Sequence, residues 1–432
     1  MKARNGLHIG YMIQDFPPEV GAGPARVTEM SHRWQSLGAG VTAITAMPNR
    51  RIPGRGEGSV DPGYRGKLFM EESWDGIRTL RSWLYTGNGR GLATKMLNNA
   101  SFMLSSFFHA VARRDQFDVL IASSPPFLPH VSAAALSRMR GVPLVLEIRD
   151  LWPDYMVQLG MLKNRRARTA LFALERRLLH EADHVVVVTE SFRERVVAKG
   201  VHPDRVDVIP NGVNLTDYYA SNDQPPFPAL NKAPGEFVVG YLGTFGQGQG
   251  LEYVVRAAEL VARKGCKIRF VLAGDGPELP RVKEEIEKLR VPNVDLHPPI
   301  PRNETRAFYN NCDVCLVPLA PVPIFSETIP SKIFEVMACE RPLIASVRGE
   351  GAAIIELSGG GVRTDPGDVG ALANAILSVR AMSKDDREAM GQRARRYVAA
   401  NYDRVDLADK YFEILKMVAE RGRRNSRGEL SS

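Results

Sequence analysis

Glu327 and Glu335 stand eight positions apart in the stretch ETIPSKIFE, with Pro330 and Lys332 between them. Proline suits the first turn of a helix and Thr328 is placed to cap it. A helix is therefore expected to begin here, with Glu327 before its mouth and Glu335 inside it. On that helix Ile333 and Met337 lie one turn apart and nearly opposite Glu335, whereas Ser331 and Lys332 share its side. Burying Ile333 and Met337 would turn Glu335 outward, beside backbone N–H groups that attract anions. A carboxylate so placed suits a vicinal diol such as a ribose, which it can bind through two hydrogen bonds. Lys332 would set positive charge beside a diphosphate, and Glu327 would stand further out, near whatever the phosphates carry. The pattern is that of a grip on a nucleotide diphosphate and its attached sugar. An ordinary capped surface helix fits the same stretch, and these residues alone do not separate the two.

Such a helix needs a sheet to position it. Short β-rich runs alternate with helical patterns twice along the chain. LHIGYMI, GVTAITA, FDVLIASSP, PLVLEIRD, HVVVVTE and VDVIPNG read as buried parallel strands of a first series. FVVGYLGTF, KIRFVLAGDG, VDLHPPI, DVCLVPL and RPLIASV form a second. Between the series the composition turns to Pro, Asn, Asp and Gly over 220–235, a linker signature. The expected fold class is α/β, with two Rossmann-like parallel-sheet domains facing a cleft. The first domain is assigned to 1–225 and carries a loop and short hairpin inserted near 49–83. The second spans 235–400. A C-terminal helix over 401–421 is expected to pack back on the first domain, and 422–432 reads as a disordered tail.

Composition narrows the classes. The chain has 432 residues, 44% hydrophobic and 25% charged, which fits two globular domains. Its start shows no signal-peptide pattern, and its greasiest stretch, FMLSSFFHAVA, is too short to span a bilayer. Four cysteines argue against a disulfide scaffold and fit a reducing compartment. Cys312 and Cys315 form a CxxC without a second pair, which reads as small apolar residues leading into a strand. The formal charge is +8, crowded into 163–183 and bordering 89–114. No nucleic-acid-binding pattern accompanies it, so the better candidate partner is an anionic membrane surface met by two amphipathic helices. A solvated basic face is the equal alternative for either helix alone.

With its neighbours, the Glu-x7-Glu stretch resembles the retaining glycosyltransferases of family 4, which have the two-Rossmann GT-B fold. PPEVGAGPARVTEMSHRWQSLGAGVTAITAMPN is similar to that family's first βα unit, VIPNGVN to its domain-joining strand and VLAGDGPE to its donor-domain loop. EIRDLWPDYMVQLGMLKN, TESFRERVVAKGV and PSKIFEVMACERPLIA resemble a bacterial surface-polysaccharide subgroup that includes N-acetyl-fucosaminyl transferases of O-antigen assembly. The resemblance runs almost end to end. It implies that Glu335 holds the donor ribose and that Glu327 faces the transferred sugar. Backbone around Pro330, Ser331 and Ile333 would contact sugar and phosphate. Gly243 and Gly274 would let backbone approach the nucleotide, and Gly21 and Gly23 would approach the phosphates or the acceptor. A tight βα turn accounts for such glycines equally well.

Two departures from the family pattern stand out. Where many relatives carry an Arg and a Lys to neutralise the diphosphate, this chain has Thr244 and Gln249, so that role passes to the helix terminus and Lys332. Where many carry His-Asp, this chain has Arg149 and Asp150, which points to a different sugar, such as one lacking the 6-hydroxyl; a structural ion pair is the alternative.

No Asp-x-Asp occurs, so no metal and no other cofactor is expected. GAGPAR lacks the third glycine of a dinucleotide fingerprint, which argues against a dehydrogenase. The resemblance implies sugar transfer from a UDP-linked donor to a lipid-linked or growing glycan, by a cytoplasmic protein peripheral to the inner face of the plasma membrane. Two alternatives stay open: a UDP-sugar 2-epimerase of the same fold, and a non-catalytic nucleotide-sugar-binding subunit.

Overall fold

A computed structural model describes residues 6–49, 62–87, 92–221, 227, 230, 232–233 and 235–428. The chain divides into two compact units, Met1–Asn211 with Arg404–Ser432, and Gly212–Asp403.

The first unit runs β1 (His8–Met12), α1 (Ala22–Ser36), β2 (Gly40–Ala46), β3 (Phe69–Trp74), β4 (Ile77–Ser82), α2 (Leu92–Arg113), β5 (Val119–Ser124), α3 (Pro129–Arg140) and β6 (Leu144–Ile148). It continues with α4 (Asp154–Gln158), α5 (Arg165–Glu181), β7 (His184–Val187), α6 (Glu190–Ala198) and β8 (Val206–Val208). The described strands form one sheet in the order β3-β4-β2-β1-β5-β6-β7-β8. All neighbours pair in parallel except β3 with β4. Ile9 pairs with Val41 on one side and Val119 on the other, so β1 sits where the strand order reverses. β1, β2, β5, β6 and β7 are almost wholly buried, as strands of a parallel sheet covered on both faces are, whereas the antiparallel edge strand β3 alternates exposed and half-buried residues.

The inserted hairpin turns at Asp75 and Gly76, both with positive φ. It extends the sheet, since Thr79 pairs with Ala43. The guanidinium of Arg81, wholly buried, is held there by Glu72 and the faces of Phe16, Tyr64 and Trp74. Residues 50–61 of the insertion lie outside the described residues.

The second unit comprises β9 (Phe237–Leu242), α7 (Leu251–Arg263), β10 (Ile268–Ala273), α8 (Leu279–Leu289), β11 (Val294–His297), α9 (Thr305–Asn311) and β12 (Val314–Pro318). It ends with α10 (Ser331–Ala338), β13 (Leu343–Ser346), α11 (Gly349–Ser358), β14 (Gly361–Thr364), α12 (Val369–Ala381) and α13 (Lys384–Asn401). Its parallel sheet has the order β11-β10-β9-β12-β13-β14, reversing at β9. Cys312 ends α9 and Cys315 lies in β12, both as buried free thiols.

The chain then returns to the first unit as α14 (Arg404–Gly428). Trp34 of α1 donates to the Ala408 carbonyl at 2.9 Å, and its ring meets Tyr411 edge-on.

Two boundaries differ from the sequence expectation. The second unit begins at Gly212 rather than near 235, because its own Arg395 donates to the carbonyls of Leu215 and Tyr218 and ties that segment down. The tail expected to be disordered from 422 continues α14 through Gly428. Arg423 finds Asp118 at 2.6 Å, a partner that composition does not reveal. Residues 429–432 lie outside the described residues.

Candidate active site

In the second unit the loops after β9 and β10 interlock at the point of strand reversal, where parallel sheets bind ligands. Gly243 has φ 152°, and a Cβ there would stand 2.2 Å from Lys332 Cε. Gly274 has φ 150°, and a Cβ there would fall 1.8 Å from the Gly243 carbonyl oxygen. Both glycines are therefore required by the backbone and by contact. Gly243 makes room for Lys332; Gly274 makes room for Gly243.

Lys332 lies in the first turn of α10, with its ammonium 5.2 Å from the centre of the Tyr241 ring. Although the residue as a whole is only partly covered, its amine has lost much of its water. Burial pushes the Lys332 pKa down, against a smaller upward push from Glu335. Glu335 accepts a 2.9 Å hydrogen bond from Tyr309 Oη. Burial first, and then the Glu335 charge, drives the Tyr309 phenol well up, so it stays a donor. Ile333 and Met337 are wholly buried while Glu335 is half-buried, as the helical register demands. Glu327 closes a short 3-10 turn, Pro323–Glu327. Phe325 of that turn covers Gly248, whose Cβ would meet the ring at 2.7 Å.

The expected start of α10 needs correction. Thr328 does not cap it. Thr328 ends the preceding 3-10 turn, and Pro330 occupies the cap position with no side-chain acceptor. Ser331 is the first helical residue, and the Ile333 amide returns to the Pro330 carbonyl at 3.0 Å. A helix begun this way keeps its first-turn dipole without a side-chain oxygen to satisfy it.

Thr244 is exposed, and its carbonyl accepts from Tyr241 Oη at 2.7 Å. Gln249 ends a 3-10 turn, Gln247–Gln249, that is tied to the Ala320 amide through the Gly248 carbonyl. Neither supplies a cation; Lys332 does.

The first unit holds the other predicted residues. Gly23 lies against Arg149, whose Nη1 would be 2.6 Å from a Cβ on Gly23. Gly21 caps α1 in extended backbone and has ordinary room for a side chain, so nothing local demands glycine there. Arg149 donates to Ser123 Oγ at 3.0 Å and lies 3.9 Å from Glu147. The expected alternative, an Arg149–Asp150 ion pair, is therefore replaced by a lean toward Glu147. Burial pushes the Asp150 carboxyl up to about 6, with Arg149 pulling the other way.

Sequence reasoning missed what organises this corner. Glu147, wholly buried, accepts from Tyr11 Oη at 2.7 Å, Ser123 Oγ at 2.6 Å and Arg26 Nε at 2.9 Å. Burial alone would raise its pKa, but Arg26, Arg149 and the two hydroxyls more than offset that and hold it below the usual range. Arg26 also donates to the carbonyls of Ile209 and Pro210, tying β8 to the network. The signal was an acid inside the apolar run PLVLEI, with an Arg on the buried side of α1. Among the described residues, no His, Cys, Asp and Glu cluster is arranged to hold a metal ion.

Two family models match the chain, one over most of each unit. Residues 21–212 match the glycosyl transferase 4-like domain, and residues 236–381 match the glycosyl transferases group 1 family. By fold and by both domains, the chain is a glycosyltransferase of the GT-B type. It is 26% identical to the probable glycosyltransferase WbjE of Pseudomonas aeruginosa, over 72% of this chain and 77% of that one. It is also 26% identical to the putative colanic acid biosynthesis glycosyl transferase WcaI of Escherichia coli K12, over 66% and 70%. Among solved structures, sucrose-phosphate synthase of Thermosynechococcus elongatus superposes with a TM-score of 0.75 at 20% identity, covering 95% of this chain and 99% of that one. Anabaena HepE in complex with UDP-glucose superposes with a TM-score of 0.69 at 16% identity, covering 95% and 100%.

Proposed function

We propose that the chain transfers a sugar, with retention of configuration, from a UDP-linked donor to a lipid-linked or growing bacterial surface glycan. The observation that carries this reading is Lys332 resting on Gly243, one helical turn before Glu335. That arrangement puts a cation, an uncapped helix terminus and a carboxylate side by side. Glu335 would bind the ribose hydroxyls, and the first turn of α10 with Lys332 would hold the diphosphate. Glu327 would face the sugar. The anomeric C–O bond breaks with its electron pair passing to the β-phosphate oxygen, where Lys332 stabilises the growing charge. The acceptor hydroxyl attacks from the same face and gives its proton to that departing oxygen.

Lys332 stands in for the charge that a divalent ion would otherwise supply, so the reaction is proposed to need no metal. The preference for UDP draws on the UDP-glucose complex of HepE, and the surface-glycan acceptor on the names of the relatives. Arg149 and Asp150 support a sugar of changed outer substituents, such as an N-acetylated 6-deoxy amino sugar. The inner face of the plasma membrane is the proposed place of work; no described helix is long and apolar enough to cross a membrane.

The test is calorimetry with UDP, GDP and dTDP sugars, followed by UDP release with lipid-linked acceptors in the presence of EDTA. An α-configured product from an α-configured donor supports the reading. Release of a free sugar epimer would identify an epimerase, and binding without turnover across an acceptor panel would identify a binding subunit.

A further inference from the structure

Of thirteen exposed large apolar side chains among the described residues, seven lie on α2 or on segments joined to it. Leu97, Leu104 and Phe108 are 51%, 55% and 61% exposed. Their spacing puts all three on one stripe of α2. The stripe cannot be turned inward, because Phe102, Ser106, His109 and Ala110 already fill the opposite side of the helix.

More apolar surface adjoins it. The Trp83 carbonyl accepts from Ser105 of α2, and the Tyr85 amide and carbonyl are held by Ser101 and Asn98 at 2.8 and 2.7 Å. Trp83 donates to the Leu68 carbonyl at 2.9 Å, and Phe69 lies 4.7 Å from the His109 ring. Leu68, Phe69, Trp83 and Tyr85 are each 38% or more exposed. Single exposed apolar residues need no explanation, but a joined surface of this kind marks an interaction site.

Its border is basic. Arg65 and Lys67 precede Leu68 and Arg114 follows the end of α2, all three exposed, whereas Lys95 and Arg113 stand on the side of the helix away from the stripe. The nearby acid Glu71 is engaged by Arg78 and Arg113. A rim with cations in excess matches a plane of anionic headgroups, whereas a second copy would bring the same positive excess against itself. Trp83 and Tyr85, apolar bodies with polar tips, are the residue types that settle at a membrane interface. The other basic helix, α5, has no large apolar side chain among the exposed ones, so it lacks the inserting half of such a surface.

We propose that α2 and the adjoining ends of β3 and β4 are a bilayer-docking face. Leu97, Leu104 and Phe108 enter the acyl boundary and the basic rim lies on lipid phosphates. The proposal takes its purpose from the lipid-linked acceptor reading above, but its physical content is separate.

The test uses the full chain and vesicles of phosphatidylcholine with or without phosphatidylglycerol. Sedimentation should require the anionic lipid and decline as salt rises. Leu104→Asp with Phe108→Asp should lower vesicle binding about tenfold or more, with unchanged circular dichroism and UDP affinity. Lys67→Gln with Arg114→Gln should weaken binding and flatten its salt dependence. The proposal is overturned by equal sedimentation with neutral and anionic vesicles, or by undiminished binding of the double Asp variant. It is also overturned if that variant instead abolishes self-association of a chain that ignores vesicles. A wild-type chain that binds anionic vesicles but no nucleotide would overturn the proposed activity and leave the docking face standing.

Discussion

Tyr309 on α9 donates to Glu335 on α10 at 2.9 Å, so two helices share the job of orienting one carboxylate. The phenol takes one lone-pair direction and fixes the rotamer. Glu335 is then presented in a chosen direction rather than left to swing.

Glu335→Gln should weaken UDP binding by about 1.5–3 kcal/mol, the usual cost of losing a charged acceptor. Tyr309→Phe should cost less, about 0.5–1.5 kcal/mol, because the carboxylate survives but loses its anchor. Glu327→Ala should leave UDP affinity alone and lower turnover. Calorimetry with UDP separates the three, and an unchanged affinity for Glu335→Gln would refute the ribose assignment.

Lys332→Met should lower kcat on the order of 100-fold, by analogy with losing one oxyanion donor, while donor affinity changes less. Gly243→Ala should act in the same direction without touching the charge, since the new methyl would take the space of the Lys332 side chain. Gln249→Lys in the Lys332→Met background should restore part of the loss. Steady-state UDP release decides; near-wild-type turnover in Lys332→Met would move attention to Arg149.

Asp150 predicts a pH signature. Its folded pKa is raised to about 6, above the roughly 3.9 of an unfolded aspartate. At low pH both states are protonated and no penalty exists. Between these values the unfolded state ionises first, so stability falls as pH rises, and the penalty is complete above about 6. Asp150→Asn should therefore gain stability relative to wild type as pH rises through that window, by roughly 1–3 kcal/mol at neutral pH. Denaturant midpoints at acidic and neutral pH that shift equally would contradict it.

Glu147→Gln should destabilise the first unit by about 3–5 kcal/mol, because it leaves the buried Arg26 charge without its counterion. Arg26→Met with Glu147→Leu should cost less than that single change. Thermal unfolding of wild type, Glu147→Gln and the double variant gives the comparison, and a double variant less stable than Glu147→Gln would rule out the pairing.

Much of this was legible because parallel strands buried on both faces write themselves as apolar runs, and β1, β5 and β9 stand where LHIGYMI, FDVLIASSP and FVVGYLGTF lie. β14 escaped because GVRT is short and half-covered at a sheet edge. The faces of Ile333 and Glu335 followed from helical spacing, whereas the missing Thr328 cap did not, since only backbone angles show that the chain is still extended at Pro330. Glu147 and Arg26 were hidden for a different reason. Their burial depends on finding each other across 121 positions of sequence, and no local pattern records that meeting.

The placement of α14 has a consequence for the order in which the protein can be made. Trp34 and Tyr11 belong to a core whose last wall, Tyr411 and its neighbours, lies on the final helix of 25 residues. The whole of Gly212–Asp403 is translated in between. On the ribosome the second unit can therefore finish folding while the first, encoded earlier, still lacks a side. The half that emerges first is completed last, and a chain released early would expose the Trp34 surface to whatever binds unfinished proteins.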